Sequence, residues 1–268
     1  MSHFFAFVLG VVEGFTEYLP VSSTGHLVLV SHLLGENGEG AKAFDIVIQL
    51  GAILAVVVHY RALLLERASG LFSRDPRAIA LAVALAVGFL PAAVTGFLLR
   101  KTIKEHLFGP LPVALALLVG GVVMIGIERH RRARSMQGLE GLEHVTPRRA
   151  LLIGIGQCFS LWPGASRSMC TIVAGQLTGL STATAAEFSF LLALPTLTAA
   201  TLYEGLKSRH ELLAAGAGVD LAIGLVVSFL VAWAVIAGFL AYLKHRGLEP
   251  FGYYRIVLAA LVFFLVLR

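Results

Sequence analysis

Glu13 and Glu17, four residues apart, open a run of polar side chains, E-G-F-T-E-Y-L-P-V-S-S-T-G-H at 13–26, in an otherwise apolar N-terminus. On a helix that spacing puts both carboxylates on one face, with about 5–6 Å between Cβ atoms. One ionised carboxylate at mid-bilayer costs on the order of 3 kcal/mol even on forgiving scales, and two neighbours also repel. A divalent cation, a shared proton or an arginine would offset that cost. Mg²⁺ typically takes one or two protein carboxylates and completes its shell with water and phosphate oxygens. An ion pair that only locks helices together would satisfy the same two residues.

Pro20 ends the first helix or nearly so. Ser22, Ser23, Thr24, Gly25 and His26 follow it. That order suits a turn whose hydroxyls and backbone N–H groups surround a new helix N-terminus, a natural anion site. Helix capping by Ser and Thr would use the same residues. His26 stands three residues from Ser23, within reach on one helical turn for acid–base work; a satisfied interior histidine is the plainer use.

A second polar run, P-G-A-S-R-S-M-C-T at 163–171, supplies the opposite charge. Arg167 carries a planar fork that stays protonated and matches phosphate. Ser166, Ser168 and Thr171 add donors, and Gly164 lets backbone approach a ligand closely. Arg167 could also simply neutralise Glu13 and Glu17, and both uses are compatible. Together the two runs suit a phosphorylated substrate with a lipid tail, because phosphoryl transfer needs a metal or arginine clamp and a positioned nucleophile. No Walker motif, H-E-x-x-H or Cys/His zinc spacing is present.

These residues must be positioned by membrane helices. Charged residues are 14% of the 268, against roughly a quarter in soluble domains, and the mean hydropathy is +0.85. Apolar runs at 44–60, 78–99, 111–127, 185–204, 219–243 and 252–267 have the length a helix needs to cross a bilayer. Backbone polar groups in lipid must be satisfied internally, so the predicted fold is all-α. The N-terminal apolar run lacks a basic flank and a small-residue cleavage site, so it is expected to be retained structure. Cys158 and Cys170 sit in apolar surroundings and are expected to pack rather than bond. The net charge of +5 fits basic cytoplasmic loops better than nucleic-acid binding.

The sequence repeats at an offset of about 140 residues. Residues 10–24 face 154–168, 44–54 face 188–198, and 81–90 face 221–230. A single membrane domain over 1–268 is expected, with repeats over 1–130 and 150–268. The polar segments, about 4–34 and 150–182, read as re-entrant helix–loop–helix hairpins. Irregular backbone at that depth is tolerated only where protein buries it or water reaches it. With an odd number of crossings per half the repeats are inverted, and the hairpins meet near the midplane. Arg61, Arg67, Arg74, Arg77, the arginines of 129–149, Lys244, Arg246 and Arg255 fall on one side. Lys42, Arg100, Lys101, Lys104, Lys207, Arg209 and Arg268 fall on the other. The excess places the first set in the cytoplasm, so the first hairpin opens outward.

At these motifs the chain resembles the undecaprenyl-diphosphate phosphatases, the bacitracin-resistance family of the bacterial inner membrane. The run 13–26 matches the family's first motif, 163–171 resembles its second, and Q-L-G-A-I-L-A-V-V at 49–57 resembles a further recurrent segment. The resemblance implies hydrolysis of undecaprenyl diphosphate to the monophosphate and inorganic phosphate. This recycles the carrier lipid for peptidoglycan synthesis, and thereby serves cell-wall biogenesis, cell shape and bacitracin resistance. It also implies six spanning helices with two re-entrant hairpins, and a homodimer. The family's functional positions fall on Glu13, Glu17, Ser23, His26, Ser166, Arg167 and Thr171. Met169–Cys170 stands where the family usually has a small pair. The expected mechanism has Glu13 and Glu17 holding Mg²⁺ or Ca²⁺ against the diphosphate. Arg167, Ser166 and Thr171 grip its oxygens, with Ser22, Thr24, Gly25, Gly164 and Ser168 completing the cradle. Ser23, His26 or water is the nucleophile. The rival expectation is an inverted-repeat transporter or flippase for an anionic lipid or small anion.

Overall fold

The structure, a computed structural model, describes residues 3–35, 39–207 and 218–266. Arg209, Arg268 and the last residue of the predicted span 252–267 lie outside them. Eleven α-helices are described. They are α1 (His3–Thr16), α2 (Ser23–Leu33), α3 (Glu39–His59), α4 (Arg61–Phe72), α5 (Pro76–His106), α6 (Pro110–Ala133), α7 (Pro147–Cys158), α8 (Arg167–Leu177), α9 (Thr182–Lys207), α10 (Gly218–Leu243) and α11 (Glu249–Val266). Two 3₁₀ turns, Leu142–His144 and Phe159–Leu161, flank α7.

The protein is a multi-pass integral membrane protein. Among the described residues five helices, α5, α6, α9, α10 and α11, are long and apolar enough to span a bilayer. They cover the predicted spans at 78–99, 111–127, 185–204 and 219–243, and that at 252–267 as far as Val266. The span predicted at 44–60 is different. Its Val47–His59 part passes only together with Arg61–Phe72, and the two are bent by 73°. The second arm, R-A-L-L-L-E-R-A-S-G-L-F, carries three charges and packs on α5.

Both polar segments fold as helix–turn–helix hairpins: α1 and α2 around residues 17–22, α7 and α8 around 159–166. Their helices have 14, 11, 12 and 11 residues. At 1.5 Å per residue each covers about 16–21 Å, short of the roughly 30 Å of bilayer hydrocarbon. α1 ends at Thr16, before Pro20, although Glu17 N–H still donates to Glu13 O at 3.0 Å. α7 starts where Thr146 caps its N-terminus and Pro147 takes the first helical position, where the missing N–H is no loss.

Each hairpin packs on a long helix of the other repeat, α1 on α10 and α7 on α5. Small residues let these backbones approach, as expected where lipid removes the hydrophobic drive between helices. A Cβ on Gly14 would lie 2.5 Å from Ser228 O of α10, and one on Gly154 would lie 2.4 Å from Gly88 O of α5. α6 pairs with α11 through Gly121 and Gly252 in the same way, and α3 packs on α9. The two turns are thus held side by side in the interior.

Cys158 and Cys170 are free thiols, Cys170 buried, in line with packing roles. Arg255 departs from the charge pattern. The loop count assigns it to a connection, but among the described residues it is the largest fully buried side chain, 0% exposed, inside α11. Arg255 thus joins Arg167 of the second hairpin as an arginine with a buried side chain.

Candidate active site

The two turns end in the same local device. Ser22 and Ser166 cap α2 and α8 from φ values of 73° and 71°, a left-handed conformation unusual for a residue with a side chain. The Ser22 hydroxyl accepts from Gly25 N–H at 3.2 Å, and that of Ser166 accepts from Met169 N–H at 3.3 Å. These bonds tie each turn to its helix and support the strained φ. Two helix N-termini, each electropositive, are thereby placed in one buried region.

Glu17 lies between the hairpins. Arg167 Nη2 donates to Glu17 Oε1 at 3.2 Å, and Ser23 Oγ donates to Glu17 Oε2 at 2.8 Å. The ion-pair side chains are only 8% and 6% exposed, so the pair is little screened by solvent. Arg167 Nη1 donates to Ser189 O at 3.0 Å and to its hydroxyl at 3.2 Å. Its guanidinium also lies 5.4 Å from the ring centroid of Tyr18, whose hydroxyl donates to Ala52 O. The fork is thus fixed by α9, α3 and the first turn together.

Glu13 is 1% exposed, and its Oε1 has no hydrogen-bond partner. Its electrostatic neighbours are Glu17, Asp45 and Arg167. Asp45, on α3, also carries a buried oxygen without a partner. Among the described residues no group of three or more His, Cys, Asp or Glu side chains could hold a metal ion.

His26 is held at both ring nitrogens. Nδ1 lies 2.7 Å from Ser22 O, and Nε2 lies 2.7 Å from the hydroxyl of Tyr254 on α11. A carbonyl can only accept, so Nδ1 bears the proton of the neutral ring and Tyr254 donates to Nε2. The two rings are nearly parallel, 9° apart in plane. The hydroxyl of Ser23 is directed to Glu17 rather than to His26.

The remaining predicted residues divide by burial. Thr24 and Ser166 are half-buried beside the turns. Ser168 and Thr171 are fully buried. Ser168 Oγ donates to Leu19 O at 2.8 Å, joining one hairpin to the other. Thr171 pairs with the Ser189 hydroxyl at 2.6 Å, behind Arg167. Gly25 packs on Leu117, and Gly164 adopts φ +96° with Val113 O close to where a Cβ would stand. At the family's small pair, Met169 puts its N–H on the Ser166 cap and its methyl toward Gly120 of α6, away from the turn.

Sequence reasoning missed Ser189, Tyr254 and Arg255. Ser189 and Tyr254 lie in apolar runs and belong to neither motif, so spacing carried no signal for them. Arg255 carried one, a lone charge in an apolar run.

The described residues form a helical membrane protein whose paired hairpins gather carboxylates, serines, a histidine and an arginine. That set of groups suits a membrane enzyme of anionic, phosphate-bearing lipids, and the chain's relatives are such enzymes. The chain belongs to the family described as bacitracin resistance protein BacA, whose model matches residues 6–261. It is 62% identical over 266 residues to an undecaprenyl-diphosphatase of Sorangium cellulosum, covering 99% of this chain and 87% of the relative. It is 46% identical to the undecaprenyl-diphosphatase of Thermoanaerobacter pseudethanolicus over 97% of this chain and 96% of the relative. It is 48% identical to that of Maridesulfovibrio salexigens over 98% of both.

Proposed function

We propose that this protein hydrolyses undecaprenyl diphosphate to undecaprenyl phosphate and inorganic phosphate. The observation that carries the reading is the chain Ser23–Glu17–Arg167. A hydroxyl and a guanidinium from different hairpins share one buried carboxylate, which is the geometry of a nucleophile, its proton acceptor and a phosphate clamp.

In this reading Ser23 Oγ attacks the terminal phosphorus and its proton passes to Glu17. The bond from that phosphorus to the bridging oxygen breaks and undecaprenyl phosphate leaves. Water then cleaves the phosphoseryl bond and releases phosphate. Attack by a water that Ser23 orients uses the same residues. His26, oriented by Ser22 and Tyr254, relays the proton released in the hydrolytic step. Arg167, Ser166, Thr24 and the N-terminal amides of α2 left free by the Ser22 cap receive the phosphate oxygens, with Gly25, whose N–H that cap holds, packed beneath them. The buried Ser22, Ser168, Thr171 and Gly164 shape that cradle.

Glu13 and Glu17 fit a hard divalent cation, Mg²⁺ or Ca²⁺. Their donors are carboxylate oxygens, and Glu13 Oε1 is buried without a partner. The ion would supply charge neutralisation at the diphosphate and draw its other ligands from substrate and water.

In this reading the enzyme sits in the bacterial inner membrane, as the family resemblance implies, with the first turn open to the periplasm on the loop-charge bias. The exchanged packing of hairpins and long helices supports an inverted-topology repeat. That packing also suits a transporter or flippase for an anionic lipid, while a carboxylate-bound serine favours hydrolysis. A homodimer and a part in bacitracin resistance rest on the family resemblance.

The test is phosphate release from a prenyl diphosphate by purified protein in detergent, with Mg²⁺ or Ca²⁺ and then with chelator, alongside thermal unfolding under the same conditions. Metal-dependent release with a metal-dependent rise in Tm is expected. Release indifferent to chelator keeps the enzyme and removes the ion. Folded protein that releases nothing transfers the reading to the transporter.

A further inference from the structure

Arg255 lies behind both turns. Its Nη1 donates to Pro20 O at 3.3 Å, and its Nη2 donates to Gly164 O at 3.0 Å and to Ala116 O of α6 at 3.0 Å. Pro20 and Gly164 occupy the same place in the two repeats, each two residues before a strained serine cap. One guanidinium therefore touches the corresponding carbonyl of each turn and the helix between them.

The room for it is built in. A Cβ on Gly120 would stand 2.3 Å from Nη2, so α6 needs a glycine where the fork passes. Among the described residues no carboxylate forms an ion pair with Arg255, and its buried Nε has no partner. Taking an arginine out of water costs several kcal/mol after relaxation, and carbonyl dipoles offset only part of that. An apolar side chain of similar volume would hold α11 on α6 with no such penalty. The charge and the planar fork therefore serve something other than packing.

We propose that Arg255 is a positioning residue. Its fork holds the turns of the two hairpins in register, so that Ser23 and Arg167 meet on Glu17, and its uncompensated charge adds positive potential behind the site of an anionic headgroup. The role acts through backbone, with no contact to substrate. It rests on the reading of the two turns as the phosphatase site.

The test compares Arg255→Met, Arg255→Lys and Gly120→Ala with the unchanged protein in detergent. Read-outs are kcat, KM, thermal unfolding, and hydrogen exchange at the amides of residues 21–26 and 165–170. Arg255→Met is expected to fold, because apolar replacement of a buried charge is often neutral or stabilising. Its kcat should fall by up to about 10²–10³-fold, the scale for losing one preorganised oxyanion-hole donor, here lost indirectly as the turns shift. Exchange should rise about tenfold or more in both turns together and stay unchanged elsewhere. Arg255→Lys keeps the charge without the fork, so KM should be closer to that of the unchanged protein than in Arg255→Met while kcat stays low. Gly120→Ala, which leaves Arg255 in place but displaces its fork, should reproduce the exchange increase.

Full kcat in folded Arg255→Met overturns the proposal. So does a loss that only tracks the folded fraction, with no exchange change confined to the turns. If the unchanged protein releases no phosphate, the phosphatase reading fails, and the exchange data still decide whether Arg255 clamps the turns.

Discussion

Glu17 and Arg167 stand 150 positions apart in the chain, yet Nη2 of one lies 3.2 Å from Oε1 of the other in a setting almost closed to solvent. The pair joins the two hairpins at their turns. In the proposed mechanism it also brings the proton acceptor of Ser23 and the phosphate fork of Arg167 into one contact, so that stability and chemistry would depend on the same two side chains.

Removing one member separates the two effects. Arg167→Ala leaves a buried carboxylate uncompensated and should lower stability by about 3–5 kcal/mol, the scale for a broken buried pair. Arg167→Lys should recover much of that stability and little of the activity, because an ammonium cannot serve Glu17 and Ser189 as a fork does. Unfolding in detergent and phosphate release, measured on the same samples, check both halves. Equal recovery of the two would show that Arg167 is only a strut.

Ser23→Ala removes the hydroxyl from Glu17 Oε2 without opening the fold, since Ser23 is half-buried at the first turn of α2. A fall in kcat of about 10²–10⁴-fold with little change in KM is expected, the range for losing a positioned acid–base partnership. A raised KM at unchanged kcat would make Ser23 a binding residue instead.

Tyr254 holds His26 through one hydroxyl hydrogen bond of 2.7 Å. Tyr254→Phe keeps the ring beside the imidazole and deletes the donor. Such a bond contributes about 0.5–1.5 kcal/mol, so kcat should drop roughly twofold to tenfold. The pH–rate profile should shift as well, because Nε2 loses its fixed partner. An unaltered profile would remove Tyr254 from the site.

Gly14 tests the seating of the first hairpin. Its Cβ position is 2.5 Å from Ser228 O and 2.9 Å from Val231 Cβ, so Gly14→Ala must push α1 off α10. Overpacking of this kind costs typically 1–3 kcal/mol. A lower Tm is expected, with reduced activity in the fraction that stays folded, because Glu13 and Glu17 flank this contact. An unchanged Tm would mean that α1 is not seated on α10 as described.

Much of this molecule was legible in its sequence. Long apolar runs announce spanning helices because lipid leaves a backbone few other ways to satisfy its polar groups. Pro20, the serine runs and Gly164 announce broken segments, and Glu13, Glu17, Ser23, His26 and Arg167 announce themselves as polar groups that lipid would exclude without a purpose. The bent pair α3–α4 was less legible, since a hydropathy window records length and composition and says nothing of a 73° change of direction.

Partners were decided only by the tertiary structure. Ser23 belongs to Glu17, six residues away, while His26, three residues away, turns to Tyr254, 228 positions later. Arg255 counts as a loop charge by its place near a helix start, yet its hydrogen bonds reach back 235, 139 and 91 positions to three carbonyls. Hydropathy, spacing and motif order are local properties of the chain, and they determine which segments cross the membrane and which break. Which helix packs on which depends on glycine contacts such as Gly14 on Ser228 and Gly154 on Gly88. These bring together residues that share no stretch of sequence, so the register of the two turns exists only once the helices are assembled.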